Sequence, residues 1–122
     1  MKIVSFEDGG PHLGVIEGDN VIDLQAVDAN APTGLGDWLR RSNGDLKAIA
    51  DLAAKAPAAA RRPLAGLKFA LPVRTPGKII CLGLNYLDHV KEGPQKDNIP
   101  KFQSIFFRVL SSLTPHLHPI RR

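Results

Sequence analysis

The apolar residues of the first 24 positions come in three short runs broken by turn chemistry, and this constrains the fold more than any other feature of the 122-residue chain. Ile3, Val4 and Phe6 form the first run, which stops at Asp8-Gly9-Gly10-Pro11. Leu13, Val15 and Ile16 form the second, and Glu17-Gly18-Asp19-Asn20 follows it. In that tetrapeptide Gly supplies a positive φ, and Asp or Asn tolerates the left-handed region. Val21, Ile22 and Leu24 form the third run. Strands this close in sequence pair antiparallel, so the spacing predicts a small β-meander over residues 2–24.

Residues 25–57 change period. Thr33 or Asp37 could cap a short helix holding Leu35, Trp38 and Leu39, which ends at Ser42-Asn43-Gly44. A second helix is predicted over residues 45–55, because Leu46, Ile49, Ala50 and Ala53 fall at i, i+3, i+4 and i+7, the spacing of one buried face. Pro57 ends it, and Ala58-Ala59-Ala60-Arg61-Arg62-Pro63 reads as a linker. Charge changes sign at the same place: residues 1–60 carry a net −4 and residues 61–122 a net +8. A module boundary near 60–70 follows.

Beyond the boundary, Pro72 and Pro76 punctuate an extended stretch. Lys78-Ile79-Ile80-Cys81-Leu82-Gly83 is a continuous apolar run with β-branched residues, the pattern of a strand buried on both faces. A short helical segment is expected over 86–92, stopped by Gly93-Pro94. Residues 95–103 are polar and read as a mobile loop. Residues 104–110 read as a second strong strand, and the remainder, through Pro115 and Pro119, as extended chain.

Several classes are disfavoured. The longest apolar run falls well short of the ~18–20 residues that cross a bilayer. The first six residues run into Glu7-Asp8, so no signal-peptide core is seen and a cytosolic protein is expected. The single cysteine, Cys81, excludes an internal disulfide and a multi-cysteine metal cluster; it reads as a packing residue. The Lys and Arg residues are dispersed with no recognition motif among them, so nucleic acid is not an expected partner. Gly34-Leu35-Gly36 lacks the glycine and lysine of a phosphate loop. His116 and His118, between Pro115 and Pro119, read as part of an exposed extended segment rather than a metal site. His12 is expected on the meander surface and Trp38 in its core.

Chemistry concentrates in Gly83-Leu84-Asn85-Tyr86-Leu87-Asp88-His89-Val90-Lys91-Glu92. On a helix His89 and Glu92 stand at i, i+3 on one face. A carboxylate beside an imidazole fixes its tautomer and raises its basicity, the minimum for a general base. A solvated helix with one ordinary His–Glu pair has the same spacing.

The segment from Pro76 to His89, with Glu92 after it, resembles the entry motif of the fumarylacetoacetate hydrolase family, P-x-K-I-[IV]-x-[VI]-G-x-N-Y-x-D-H-x-x-E. Ile99-Pro100-Lys101-Phe102-Gln103-Ser104-Ile105-Phe106-Phe107-Arg108 resembles that family's next block, a Pro-containing loop leading into a strand with a Lys or Arg. The first ~65 residues resemble, more weakly, the small β-rich amino-terminal module of many bacterial members. The resemblance implies an α+β, β-rich chain: an amino-terminal β-meander with two helices over 1–65, then the first strands of a mixed β-roll over 70–122. It implies a hydrolase or lyase of 2-oxo or β-diketo acids using Mg²⁺ or Mn²⁺, with a small 2-oxo acid as substrate and homodimers among full-length relatives. His89 would be the general base with Glu92 as its partner. Arg108 and Asn85 would bind substrate, and residues 93–103 would form a lid.

One departure matters. The family's metal ligands are a Glu-x-Glu pair and a later Asp, whereas this sequence has no Glu-x-Glu and no Asp or Glu after Asp97. Mg²⁺ takes oxygen ligands, commonly carboxylates. The expectation is therefore an amino-terminal portion truncated before its metal ligands and inactive alone, with no metal ligand assigned. The alternative is a non-catalytic interaction module.

Overall fold

The computed structural model describes residues 1–94, 96 and 98–120. The architecture is α+β and β-rich. Strands β1 (Ile3–Glu7), β2 (Pro11–Glu17), β3 (Asn20–Asp23) and β4 (Arg61–Pro63) form one antiparallel sheet in that order. The register places Ile3 opposite Val15, Val15 opposite Ile22 and Val21 opposite Arg62. Gly18 makes the β2–β3 turn at φ 58°, a conformation that costs glycine little because it has no Cβ. Residues 68–70 run along β1, where Glu7 N–H donates to the Lys68 carbonyl and Ala70 N–H to that of Ser5.

One face of the sheet is covered by helices α1 (Leu24–Val27), α2 (Leu35–Arg41) and α3 (Lys47–Ala54). Leu13, Val15, Ile22 and Leu24 meet Ala31, Trp38, Ile49 and Ala53 in a single core. Gln25 ties the sheet to the connection after α1: its Oε1 accepts from Leu13 N–H at 2.8 Å and its Nε2 donates to the Pro32 carbonyl at 3.0 Å. Trp38 lies in the core as expected, and its Nε1–H donates to the same carbonyl at 2.9 Å. Burying an indole is favourable when its single N–H finds such a partner.

Local details differ from the sequence reading. Helix α2 is capped by Gly34 with no side-chain bond, and Asp37 lies inside its first turn, so neither Thr33 nor Asp37 is the cap. Helix α3 runs over Lys47–Ala54 and buries Ile49 and Ala53, while Leu46 is exposed. The one-turn α1 was missed; Asp23 caps it by accepting from Gln25 N–H at 3.1 Å. Arg61-Arg62-Pro63 is strand β4 rather than linker, because β3 still offered an unpaired edge. His12 is only partly exposed and bonds to buried Asp23.

The chain divides into two compact units, Met1–Thr75 with Leu113–Arg122, and Pro76–Ser112. The expected division was 1–65 and 70–122; in the structure the first unit also takes in the terminal segment. There His116 meets Phe69 edge-on at 5.0 Å. The second unit holds β5 (Ile80–Gly83) and β6 (Ser104–Phe107), paired antiparallel, with α4 (Leu87–Glu92) between them. The 78–83 run is not buried on both faces: Ile80 is 58% exposed and Leu82 48%, and Cys81 is half-buried. Strand β6 stops at Phe107, and a 3-10 turn follows over Leu110–Ser112 instead of more strand. Among the described residues, no helix is long and apolar enough to cross a membrane.

Candidate functional site

The second unit carries the residues that the sequence singles out. Strand β5 ends at Gly83, and Leu84 follows at φ 54°. A left-handed conformation is costly for a residue with a branched side chain. It falls between β5 and α4, with Asn85 and Tyr86 leading into the helix. Tyr86 is the amino-terminal cap, with extended backbone and no side-chain bond. One turn later His89 and Glu92 share a face, Nδ1 to Oε2 at 4.0 Å. Their side chains are 64% and 80% exposed. This is an ion-pair distance without a hydrogen bond, and at such exposure it is worth ~0–1 kcal/mol. Lys91 and Asp88 form a similar pair at 3.7 Å.

Asn85 Oδ1 accepts from Gln103 Nε2 at 3.4 Å, a long bond that links the entry of α4 to the residue before β6. The β-register explains the approach, since Gly83 lies opposite Ser104. Arg108 continues the ladder by donating its N–H to the Ile79 carbonyl at 3.1 Å, and its guanidinium lies 5.4 Å from the Phe106 ring. Among the described residues that guanidinium makes no hydrogen bond or ion pair. The structure thus pairs His89 with Glu92 and Asn85 with Gln103, and sets the Arg108 guanidinium beside the Phe106 ring. Gln103 was not singled out from sequence; its position just before a strand facing Gly83 becomes informative only once the register is known. Residues 95 and 97, within the expected lid, and Arg121 and Arg122 lie outside the described residues.

The first unit contains a second cluster. Asp8, His12 and Asp23 bring one potential ligand atom each within 4.8 Å of one another. Asp23 is fully buried, and His12 Nδ1 lies 2.9 and 3.0 Å from its two oxygens. Arg62 pairs with Asp8 and with Asp23, the latter at 3.2 Å. A guanidinium bridging both carboxylates offsets one of their two negative charges and already occupies an oxygen of each. The cluster fits a structural ion network, not a divalent metal. Its neighbour Arg61 donates Nε to Glu17 at 2.6 Å, which holds the Glu17 carboxyl below its ordinary pKa and raises that of Arg61. A cleft of about 450 Å³ in this unit is lined by Glu7, Lys68, Phe69, Arg74 and His118, and by none of the residues expected to carry chemistry.

No family model matches the chain. Curated proteins do. Human oxaloacetate tautomerase FAHD2A, mitochondrial, is 36% identical over 119 residues, covering 93% of this chain and 36% of the human protein. The fumarylacetoacetate hydrolase domain-containing protein 2 of Pongo abelii is 35% identical over the same length. The Xenopus laevis oxaloacetate tautomerase is 30% identical over 129 residues, covering 99% of this chain and 38% of the frog protein. Among solved structures, maleylpyruvate hydrolase from Sphingobium sp. SYK-6, in complex with manganese(II) and pyruvate, superposes with a TM-score of 0.59 at 30% identity. That match covers 92% of this chain and 38% of the hydrolase. The chain therefore spans little more than a third of the relatives it matches. In sequence and in fold, over nearly all of its residues, the chain is similar to proteins of the fumarylacetoacetate hydrolase family.

Proposed function

We propose that these residues supply the base-bearing part of an enzyme acting on small 2-oxo acids by hydrolysis, lyase chemistry or tautomerisation. The observation that carries the reading is the placement of His89 and Glu92 on one face of α4, shortly after the left-handed Leu84 that follows β5. The relatives named oxaloacetate tautomerase and maleylpyruvate hydrolase take substrates of this class, which supports it. His89 would accept a proton from water or from the carbon beside a carbonyl, and Glu92 would stabilise the imidazolium that results. Arg108, whose guanidinium can form a bidentate fork, would hold the substrate carboxylate, with Asn85 orienting the same molecule. Residues 93–103 would close over it.

A divalent ion belongs to this reading as the group that polarises the 2-oxo carboxylate, and the manganese in the maleylpyruvate hydrolase structure supports one for the whole enzyme. The described residues do not fit it. Their one three-ligand cluster is bridged by Arg62, and the face of α4 offers only exposed Glu92 beside His89. The human and frog oxaloacetate tautomerases are named as mitochondrial proteins, so a cytosolic location has no support from them.

The test assays the chain for acylpyruvate hydrolysis, oxaloacetate decarboxylation and oxaloacetate tautomerisation with Mg²⁺ or Mn²⁺. The chain alone is expected to give the rate of buffer. Replacing the residue that aligns with His89 in the human relative is expected to abolish that enzyme's turnover. Retained turnover there overturns the reading, whereas His89-dependent turnover by the chain alone overturns the expected inactivity and keeps His89 as the base. A non-catalytic interaction module is the second reading, favoured by the exposed apolar side chains of β5 and β6.

A further inference from the structure

We propose that the cleft in the first unit is a binding site for a small organic carboxylate with an apolar body. The cleft holds about 450 Å³, within the ~300–1,000 Å³ of small-molecule sites. Part of its wall comes from residues 68–74, which hydrogen bonds fix against β1. Glu7 N–H donates to the Lys68 carbonyl at 2.9 Å and Ala70 N–H to that of Ser5 at 2.8 Å. The buried Ser5 side chain donates its hydroxyl to the Pro72 carbonyl at 3.2 Å. The terminal segment contributes His118 to the lining, and the edge-on contact of His116 with Phe69 holds that segment against the first wall. Backbone fixed in this way lowers the cost of ordering a site around a ligand.

Charge selects the ligand. Lys68 and Arg74 bring two cations to the lining and Glu7 one carboxylate, so positive charge is in excess there. Glu7 accepts from Arg74 Nη2 at 2.6 Å. Arg74 Nε is shut off from solvent and, among the described residues, meets no acceptor. A buried donor without a partner is costly, and folded proteins leave few of them. The guanidinium is therefore short of an acceptor, and the paired oxygens of a carboxylate match its planar fork. An incoming carboxylate would share Arg74 with Glu7 and take Lys68 as its second cation. Phe69 and Leu71 line the same cleft and give the ligand an apolar surface to lie against. An organic acid uses both features, whereas a bare inorganic anion uses only the charge. The site shares no residue with the chemistry assigned to His89.

The test titrates benzoate into the isotope-labelled full chain and follows backbone amides by NMR. Saturable shifts are expected at residues 68–71, 74 and 118, and none at residues 80–83 and 104–107 in the second unit. Benzamide lacks the charge and inorganic phosphate lacks the apolar body; each is expected to bind about tenfold more weakly or worse. Lys68→Gln and Arg74→Gln are each expected to weaken benzoate by about tenfold. Glu7→Gln removes the competing carboxylate and is expected to tighten it several-fold. Lys68 is exposed, so its variant reads the charge with the fold intact, which Trp38 fluorescence checks. His89→Ala is expected to leave the affinity unchanged, which separates this site from the catalytic reading. Absence of saturable shifts at the cleft overturns the proposal. So does benzamide or phosphate binding as tightly as benzoate, or an affinity that neither Lys68→Gln nor Arg74→Gln lowers.

Discussion

Asp23 is the most informative residue to remove from the first unit. It is fully buried, receives His12 at 2.9 Å and Arg62 at 3.2 Å, and caps α1 through Gln25 N–H at 3.1 Å. Asp23→Ala takes all three interactions away at once. Breaking a buried ion pair by deleting one partner costs ~3–5 kcal/mol. The His12 and Arg62 side chains are 19% and 39% exposed, so part of their solvation returns when the carboxylate is gone. That lowers the expectation to ~2–4 kcal/mol, of which about 1 is the lost cap. Asp23→Asn keeps a capping oxygen while removing the charge, and is expected to cost ~1 kcal/mol less. Trp38, the sole tryptophan, reports unfolding of this unit from its place in the core. In urea, with a slope of ~1–3 kcal/mol per molar, the alanine variant is expected to lower the midpoint by about 1–2 M. A loss below ~1 kcal/mol would refute the buried-network account. So would Asp23→Ala and Arg62→Ala effects that simply add in a double-mutant cycle.

Gly14→Ala places a Cβ against Val21 Cγ2 and 2.9 Å from the Ile22 carbonyl oxygen, where backbone cannot yield; a loss of ~1–3 kcal/mol is expected in the same urea assay. The Glu17–Arg61 pair gives a pH dependence of known sign. Because the Glu17 carboxyl is held below its unfolded value by Arg61, its contribution is present above the ordinary carboxylate range and is lost as pH falls through the lowered folded value. Thermal melts from pH 7 down to pH 3 should show this acid-side loss in the parent and less of it in Glu17→Gln. His89→Ala and Glu92→Gln remove only an exposed pair and should change stability by under ~0.5 kcal/mol, which urea titration of the variants checks. Trp38→Phe leaves the Pro32 carbonyl without its indole donor and should cost ~1–2 kcal/mol, read by circular dichroism during urea unfolding.

The meander, α3 and the strand–turn–helix at 80–92 were legible because each is specified by its own local spacing. Turn residues at 17–20 set the β2–β3 hairpin, and the i, i+3, i+4 pattern set α3. Strand β4 was not legible, since Arg61-Arg62-Pro63 has no strand pattern of its own and pairs because β3 has a free edge. The Asp8–His12–Asp23–Arg62 network was hidden for the same reason: its members are up to 54 residues apart in sequence. In the candidate site the reverse holds. His89, Glu92 and Asn85 lie within eight positions and could be read directly. Gln103 emerged only when the register set Ser104 opposite Gly83. The apolar run 78–83 was read as doubly buried because its composition answers to a neighbour, and composition does not say whether that neighbour is present.

Strand β4 also carries a consequence for the order of folding. Arg61 and Arg62 reach back 44 and 54 residues to Glu17 and Asp8. A polypeptide made from its amino terminus displays the three-stranded meander long before these arginines exist. Until then Asp23 has His12 but not Arg62, and the free edge of β3 is open to any other strand. Closing so long a connection is slow relative to forming a hairpin. Pairing of these three residues closes the β3 edge, which stays open in a nascent chain until they are made.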